Sequence, residues 1–310
     1  MFIDRLIDAI LEKNNPTVAG LDPDISYLPP FLLTEAYEAF GQTEHAVGAA
    51  IERFNTAIID AIHDIVPAIK PQLAYYEQYG LPGIAAFQKT VNYAKSKGLL
   101  VIADGKRNDI GSTSAAYARA YLGESQLPDR TLPGFDADAL TINGYLGSDG
   151  VLPFAEQCKA KNKGIFVLVK TSNPSSGELQ DLRFPDGMSV ADKMAVLVHT
   201  WGQELIGRHG YSSVGAVVGA TYPEEAKALR EKMPQTYFLI PGYGAQGGSA
   251  KDAVASFDKN GLGGIVNASR SILCAYRSTA HQKDFSERDF AAAARAEAVL
   301  MRDQLNAAKG

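Results

Sequence analysis

The densest chemistry in the chain lies between residues 99 and 113. Leu99-Leu100-Val101-Ile102-Ala103 is a short apolar run. It changes abruptly into Asp104-Gly105-Lys106-Arg107-Asn108-Asp109-Ile110. The apolar part reads as a buried strand. Side chains two apart on a strand share a face, so Asp104 and Lys106 point the same way if the strand persists to Lys106. Opposite charges at the end of a buried strand cost free energy unless they are paired or used. An Asp-x-Lys pair alone fits a weak surface ion pair better than a site. The reading therefore depends on what the other strand ends deliver. Gly105 and Gly111 supply turn freedom after the strand. Ser112, Thr113 and Ser114 are candidate N-caps for a helix from Ala115 to Tyr121.

The elements that must position these residues follow in order. Phe2, Ile3, Leu6, Ile7, Ile10 and Leu11 recur at helical spacing, which predicts an amphipathic helix over 2–13 that covers another layer. Short apolar segments at 17–21, 66–72, 99–104, 139–143, 164–170, 214–219, 237–242 and 263–268 read as eight strands. Helical patterns lie between them, including 44–65, 75–97, 190–208 and 287–306. Residues 25–42 read as irregular, and 123–135 as a Pro- and Gly-rich loop. Eight strands alternating with helices in one chain predict an α/β fold. It is a (β/α)8 TIM barrel with an extra N-terminal helix and long loops, occupying 1–310 as a single domain. A doubly wound sheet would carry a glycine-rich turn after its first strand, and Gly20-Leu21-Asp22-Pro23 lacks it.

Composition narrows the function classes. Of 310 residues, 46% are hydrophobic and 21% charged, as expected of a globular protein, and the net charge is −5. A nucleic-acid surface would show a basic excess. No apolar run is long enough to span a membrane, and no signal-peptide pattern opens the chain. Two cysteines, Cys158 and Cys274, cannot build a disulfide framework, which points to the cytoplasm. The five histidines are scattered without metal-ligand spacing.

In a barrel, the C-terminal strand ends share one mouth. Here they bring together Asp22, Lys70, Asp104 with Lys106, Asn143 and Ser172. The last two loops add Pro241-Gly242-Tyr243-Gly244-Ala245-Gln246-Gly247-Gly248 and Ser269-Arg270-Ser271. Lysines and aspartates crowded together hold a fixed charge pattern. A glycine-rich loop after strand seven, with an arginine after strand eight, suits a phosphate. Tyr75, Tyr76 and Tyr79 read as helix packing. The order alone predicts a barrel enzyme for a phosphorylated small molecule.

These residues resemble a known family. Asp104-Gly105-Lys106-Arg107-Asn108-Asp109-Ile110 is similar to the Asp-x-Lys-x-x-Asp-Ile signature of orotidine 5′-phosphate decarboxylases. Lys70, Pro241-Gly242 with Gln246-Gly247-Gly248, and Arg270-Ser271-Ile272 resemble its other motifs in the same order. The length, Thr171-Ser172-Asn173-Pro174 and Val218-Gly219-Ala220-Thr221 resemble the longer bacterial subgroup (type 2). The resemblance implies a carboxy-lyase that converts orotidine 5′-monophosphate to uridine 5′-monophosphate and CO2 in pyrimidine synthesis. It also implies a homodimer and no metal or cofactor. It assigns Lys70, Asp104, Lys106 and Asp109 to a charged tetrad, in which Lys106 stabilises and protonates the carbanion at C6. Asp109 and Thr113 would be donated to the partner's site. Asp22 would bind ribose, Ser172 the pyrimidine, and Gln246 and Arg270 the phosphate. Many relatives carry Gly where this chain has Ser269.

Two alternatives stand beside this reading. Related decarboxylases of keto-sugar phosphates resemble a metal-dependent design with a carboxylate at the end of strand two, where this chain has Lys70. A non-catalytic nucleotide-binding barrel would keep the phosphate grip and lose part of the tetrad, whereas all four positions are present here.

Overall fold

All eight apolar segments form parallel strands in the computed structural model, which describes residues 1–244 and 247–309. They are β1 (Thr17–Leu21), β2 (Ala68–Pro71), β3 (Leu100–Arg107), β4 (Ala139–Ile142), β5 (Gly164–Lys170), β6 (Ser212–Val218), β7 (Thr236–Ile240) and β8 (Gly264–Ala268). Each strand pairs with its neighbours in the chain, and β8 pairs with β1 to close the barrel. Closure leaves no unpaired edge, so the backbone groups of these short strands are satisfied within the sheet.

The two faces of the strands bury different layers. Val18, Ala68, Leu100, Ile102, Ala139, Phe166, Leu239 and Ile265 fill the barrel interior. Ala19, Ile69, Val101, Ala103 and Leu140 alternate with them and pack under the outer helices. The interior positions continue upward in steps of two to Lys70, Asp104, Thr141 and Asn267. The same alternation that builds the core therefore aims these polar side chains into the mouth.

The N-terminal helix runs from Phe2 to Glu12 and closes the opposite end. Phe2, Ile3, Leu6, Ile7 and Ile10 are buried against the interior residues. Each such side chain contributes about 1.5–3 kcal/mol on burial. Arg5 reaches Asp138 at 2.9 Å, and the Ile3 N–H donates to Ser213 Oγ at 3.3 Å, tying the plug to two strands. Leu11, expected on the buried face, is exposed. Asn14 stands at φ +45° and Pro16 follows, which ends the helix.

Other departures from the expected elements have local causes. Residues 25–42 are not irregular: a 3-10 turn, Ile25–Tyr27, leads into an α-helix, Pro30–Phe40, with Pro30 at its first position. The stretch at 75–97 is two helices, Ala74–Glu77 and Gly80–Ser96. Gly80 takes φ +58°, and Pro82 lacks the N–H that an unbroken helix would use. Glu124–Gln126 and Thr131–Pro133 form a small antiparallel hairpin inside the expected loop. The helix expected over 190–208 stops at Trp201. The helix after β3 begins at Gly111, so Ser112, Thr113 and Ser114 lie inside it and none is its N-cap, which is Ile110. The Ser114 hydroxyl donates instead to the Gly150 carbonyl at 2.9 Å. No described helix is long and apolar enough to cross a membrane.

Candidate active site

Asp104 is the hub of the barrel mouth. Its Oδ2 accepts from Lys70 Nζ at 2.6 Å and from Gln72 Nε2 at 3.0 Å. Its Oδ1 accepts from Lys106 Nζ and from Thr141 Oγ1, both at 2.7 Å. Four donors fill the lone-pair positions of one carboxylate, so its orientation is fixed from both sides. This is no surface ion pair: the side chains of Asp104 and Lys70 are 9% and 5% exposed. The Lys106 side chain is 45% exposed, so its ammonium is the one a ligand can reach.

Charge state follows from this packing. Burial alone would raise the Asp104 pKa, but the charges of Lys70 and Lys106 and their hydrogen bonds hold it well below the usual carboxylate range. Burial would lower the pKa of Lys70. The negative charges of Asp104 and Asp22 outweigh it and raise the value. Both groups are therefore charged at neutral pH, and the mouth keeps a fixed pattern of two cations around one anion.

The backbone of Lys106 is itself unusual. It takes φ +46° within β3, where the pairing register with β4 shifts between Ala103 and Arg107. A left-handed lysine stores about 1–3 kcal/mol and persists only where its surroundings enforce it. Here the Lys106 N–H donates to Thr141 Oγ1 at 3.0 Å, and that hydroxyl donates onward to Asp104. Arg107 pins the strand end by donating to the Gly105 carbonyl and pairing with Glu77. The bulge thus aims the Lys106 side chain into the mouth.

The mouth encloses a cavity of about 570 Å³. Asp22, Lys70, Asp104, Lys106, Ser172 and Arg270 all line it, as expected from the sequence. Arg270 opens the short helix Arg270–Leu273 after β8. Ser269 lies across β1 because Gly20 has no side chain there; a Cβ at Gly20 would stand 1.9 Å from Ser269 Oγ. Asp109 and Thr113 do not line this cavity. Asp109 Oδ1 accepts from the Ile110 N–H at 2.8 Å, and Thr113 is exposed on its helix. Asn143, expected at the mouth, is exposed and holds its own turn by accepting from the Tyr145 N–H at 2.9 Å. Gln246 lies outside the described residues.

The sequence reading missed Gln72, Tyr75, Thr141 and Asn267, all of which line the cavity. For Gln72, Thr141 and Asn267 the signal was available, because each lies two positions beyond an interior residue or another site residue. Tyr75 packs against the core, as expected, and its half-buried ring also lines the rim. Two buried oxygens in this cavity, Asp22 Oδ1 and Asn267 Oδ1, have no hydrogen-bond partner among the described residues. Buried acceptors are rarely left so, and the pair suits the hydroxyl donors of a bound ligand. Among the described residues no three His, Cys, Asp or Glu side chains are placed to hold a metal ion.

Comparisons with known proteins agree with this geometry. Residues 46–284 match the model of the orotidine 5′-phosphate decarboxylase / HUMPS family. An orotidine 5′-phosphate decarboxylase from Rhodopirellula baltica is 45% identical over 304 residues, covering 98% of each chain. One from Caldicellulosiruptor saccharolyticus is 43% identical over 291 residues, covering 94% of this chain and 95% of that protein. The solved structure of Leishmania donovani OMP decarboxylase superposes with a TM-score of 0.73 at 28% identity, over 99% of this chain and 98% of that one. With a charged barrel mouth of this design and relatives matched along nearly their whole length, the chain belongs to the orotidine 5′-phosphate decarboxylase family.

Proposed function

We propose that the chain is a carboxy-lyase that converts orotidine 5′-monophosphate to uridine 5′-monophosphate and CO2, the decarboxylation step of pyrimidine synthesis. The observation that carries the reading is the Lys70–Asp104–Lys106 cluster, with its single reachable ammonium. The bond between C6 and the carboxylate breaks, CO2 leaves, and the electron pair stays on C6. A fixed ammonium beside that carbon stabilises the charge as it develops, then passes a proton to C6. We assign that role to Lys106. Asp104, itself held by Lys70, orients Lys106 by accepting from its ammonium. Because Asp104 is already saturated with donors, the charge pattern needs no rearrangement as the reaction proceeds. The reading needs no metal or cofactor; a divalent cation placed here would meet two ammonium groups.

The remaining assignments extend this reading. Asp22, with its unpartnered oxygen, suits the ribose hydroxyls, Ser172 the pyrimidine, and Arg270 with Gln246 the phosphate. Asp109 and Thr113 are assigned to the site of a second subunit. The exposure of Ile110, Tyr145 and Leu146 supports a homodimer through this face, because apolar side chains of that size are usually covered. Leu146 lies beside the Asp109 backbone across Gly150. The 310 residues form one domain in this reading, since the barrel and its plug use both ends of the chain. A cytoplasmic setting fits the two cysteines, both free.

The test is direct. The purified protein is mixed with orotidine 5′-monophosphate, with and without a chelator, and the orotate-type absorbance is followed. Chelator-resistant formation of uridine 5′-monophosphate is expected. Binding of uridine 5′-monophosphate without turnover would instead support a nucleotide-binding protein.

A further inference from the structure

Lys170, the last residue of β5, is a buried cation that the decarboxylation chemistry does not use. Its side chain is 1% exposed. Its Nζ pairs with Asp181 and with Glu225, the latter at 3.0 Å, and stands 4.6 Å from the centre of the Tyr222 ring. Asp181 follows the short helix Gly177–Gln180 in the loop after β5. Glu225 and Tyr222 belong to the start of the helix after β6, Pro223–Lys232. One ammonium therefore ties two mouth loops to the top of the barrel wall.

The residue before Asp181 turns that anchor toward the cavity. Gln180 Oε1 accepts from the Thr171 N–H at 3.0 Å, and Gln180 Nε2 donates to Thr171 Oγ1 at 2.8 Å. The Thr171 hydroxyl then donates to Asn173 Oδ1 at 2.6 Å. Thr171, Ser172 and Asn173 all line the cavity. Their backbone is pressed against the end of β6, where the Gly219 N–H donates to the Lys170 carbonyl at 2.8 Å. A Cβ at Gly219 would stand 2.9 Å from Ser172 Cα. A side-chain amide that holds both the backbone N–H and the hydroxyl of one loop residue sets its position far more tightly than one contact would.

We propose that Lys170, Asp181 and Gln180 form a latch that sets the height of the Thr171–Asn173 segment over the cavity, making Gln180 a positioning residue for recognition of the pyrimidine base. The latch rests on the assignment of Ser172 to the base. Among the described residues its side-chain hydrogen bonds and ion pairs run to Thr171, Glu225 and one another, not to the Lys106 cluster. Its loss therefore weakens binding of the base in ground state and transition state alike, which raises KM and leaves kcat near its starting value.

The experiment compares wild type with Gln180→Leu and Asp181→Asn, the second at an exposed position where Glu225 still pairs with Lys170; melting temperatures and circular dichroism check both. Turnover of orotidine 5′-monophosphate is measured together with inhibition by uridine 5′-monophosphate and by ribose 5-phosphate, which lacks a base. Gln180→Leu is expected to raise KM and the uridine 5′-monophosphate inhibition constant by about tenfold, with kcat within about threefold and ribose 5-phosphate inhibition unchanged. Asp181→Asn shifts the same constants in the same direction by less. Parallel weakening of both inhibitors would overturn the latch, because it would mean a general loss of the site. So would unchanged constants in both variants of an active enzyme. An inactive wild type would instead remove the functional reading, and the latch as a base-positioning device with it.

Discussion

Asp104 concentrates the logic of the site in one carboxylate. It is the counter-ion that permits Lys70 to be buried and the acceptor that aims Lys106, so stability and chemistry meet there. Asp104→Asn leaves the Lys70 ammonium without its adjacent partner, and urea unfolding should show a loss of about 3–5 kcal/mol. Adding Lys70→Met should restore most of that stability without restoring activity. A double variant no more stable than Asp104→Asn would show that the pair is not the source of the loss. The pH dependence has a definite sign. Asp104 has a depressed pKa, so its contribution is present above the ordinary carboxylate range and disappears as the pH falls through its folded value. Lys70 has a raised pKa, so its contribution is complete below the ordinary lysine range and disappears as the pH rises through its folded value. Unfolding midpoints of wild type relative to the double variant should therefore be level from roughly pH 5 to 9 and fall outside that window. Lys70, Asp104 and Lys106 were legible in the sequence because charge at the end of an apolar strand is conspicuous. Thr141 and Gln72 have the same spacing, two positions beyond Ala139 and Lys70, but an uncharged side chain is inconspicuous until a neighbouring strand brings Asp104 within reach. The left-handed turn at Lys106 was also hidden, since nothing local to Asp104-Gly105-Lys106 demands it.

Strands were easier to read than helices, and the reason is burial. Each barrel strand packs on both faces, so it appears as an apolar run bounded by turns, and all eight lie within a few residues of where they were expected. The helix at Pro30–Phe40 was missed because only Leu32 and Ala36 are fully buried on it, which leaves a thin apolar stripe beside two prolines. The N-terminal helix shows a broad stripe, and its place at the bottom of the barrel separates stability from chemistry. Leu6 is fully buried there, far from the mouth. Leu6→Ala should lower unfolding free energy by about 2–5 kcal/mol, with kcat unchanged at temperatures where the variant stays folded. A fall in kcat without loss of stability would mean that the plug communicates with the site.

Within one chain, three of the four residues of the proposed tetrad, Lys70, Asp104 and Lys106, line the cavity of the mouth. Asp109 and Thr113 do not line that cavity, and Ile110, Tyr145 and Leu146 expose apolar surface. The Asp-x-Lys-x-x-Asp spacing was readable from the chain; whether its last aspartate lines the cavity was not, because that depends on the path between the strand end at Arg107 and the helix that starts at Gly111. Mixing Lys106→Ala subunits with Asp109→Asn subunits tests the shared arrangement. Each variant alone should be nearly inactive, while a verified hybrid contains one intact site and should regain up to half the activity of a wild-type dimer. A verified hybrid with no recovery would place Asp109 elsewhere.

The most direct measurement is a comparison of turnover and ligand binding in Lys106→Ala. Orotidine 5′-monophosphate turnover and uridine 5′-monophosphate affinity would be measured on the same folded preparation. If Lys106 both stabilises the charge at C6 and protonates it, turnover should fall by at least about a thousandfold while binding stays within about tenfold. Near-normal turnover in Lys106→Ala would contradict that role and leave the Asp104 cluster as a structural ion network alone.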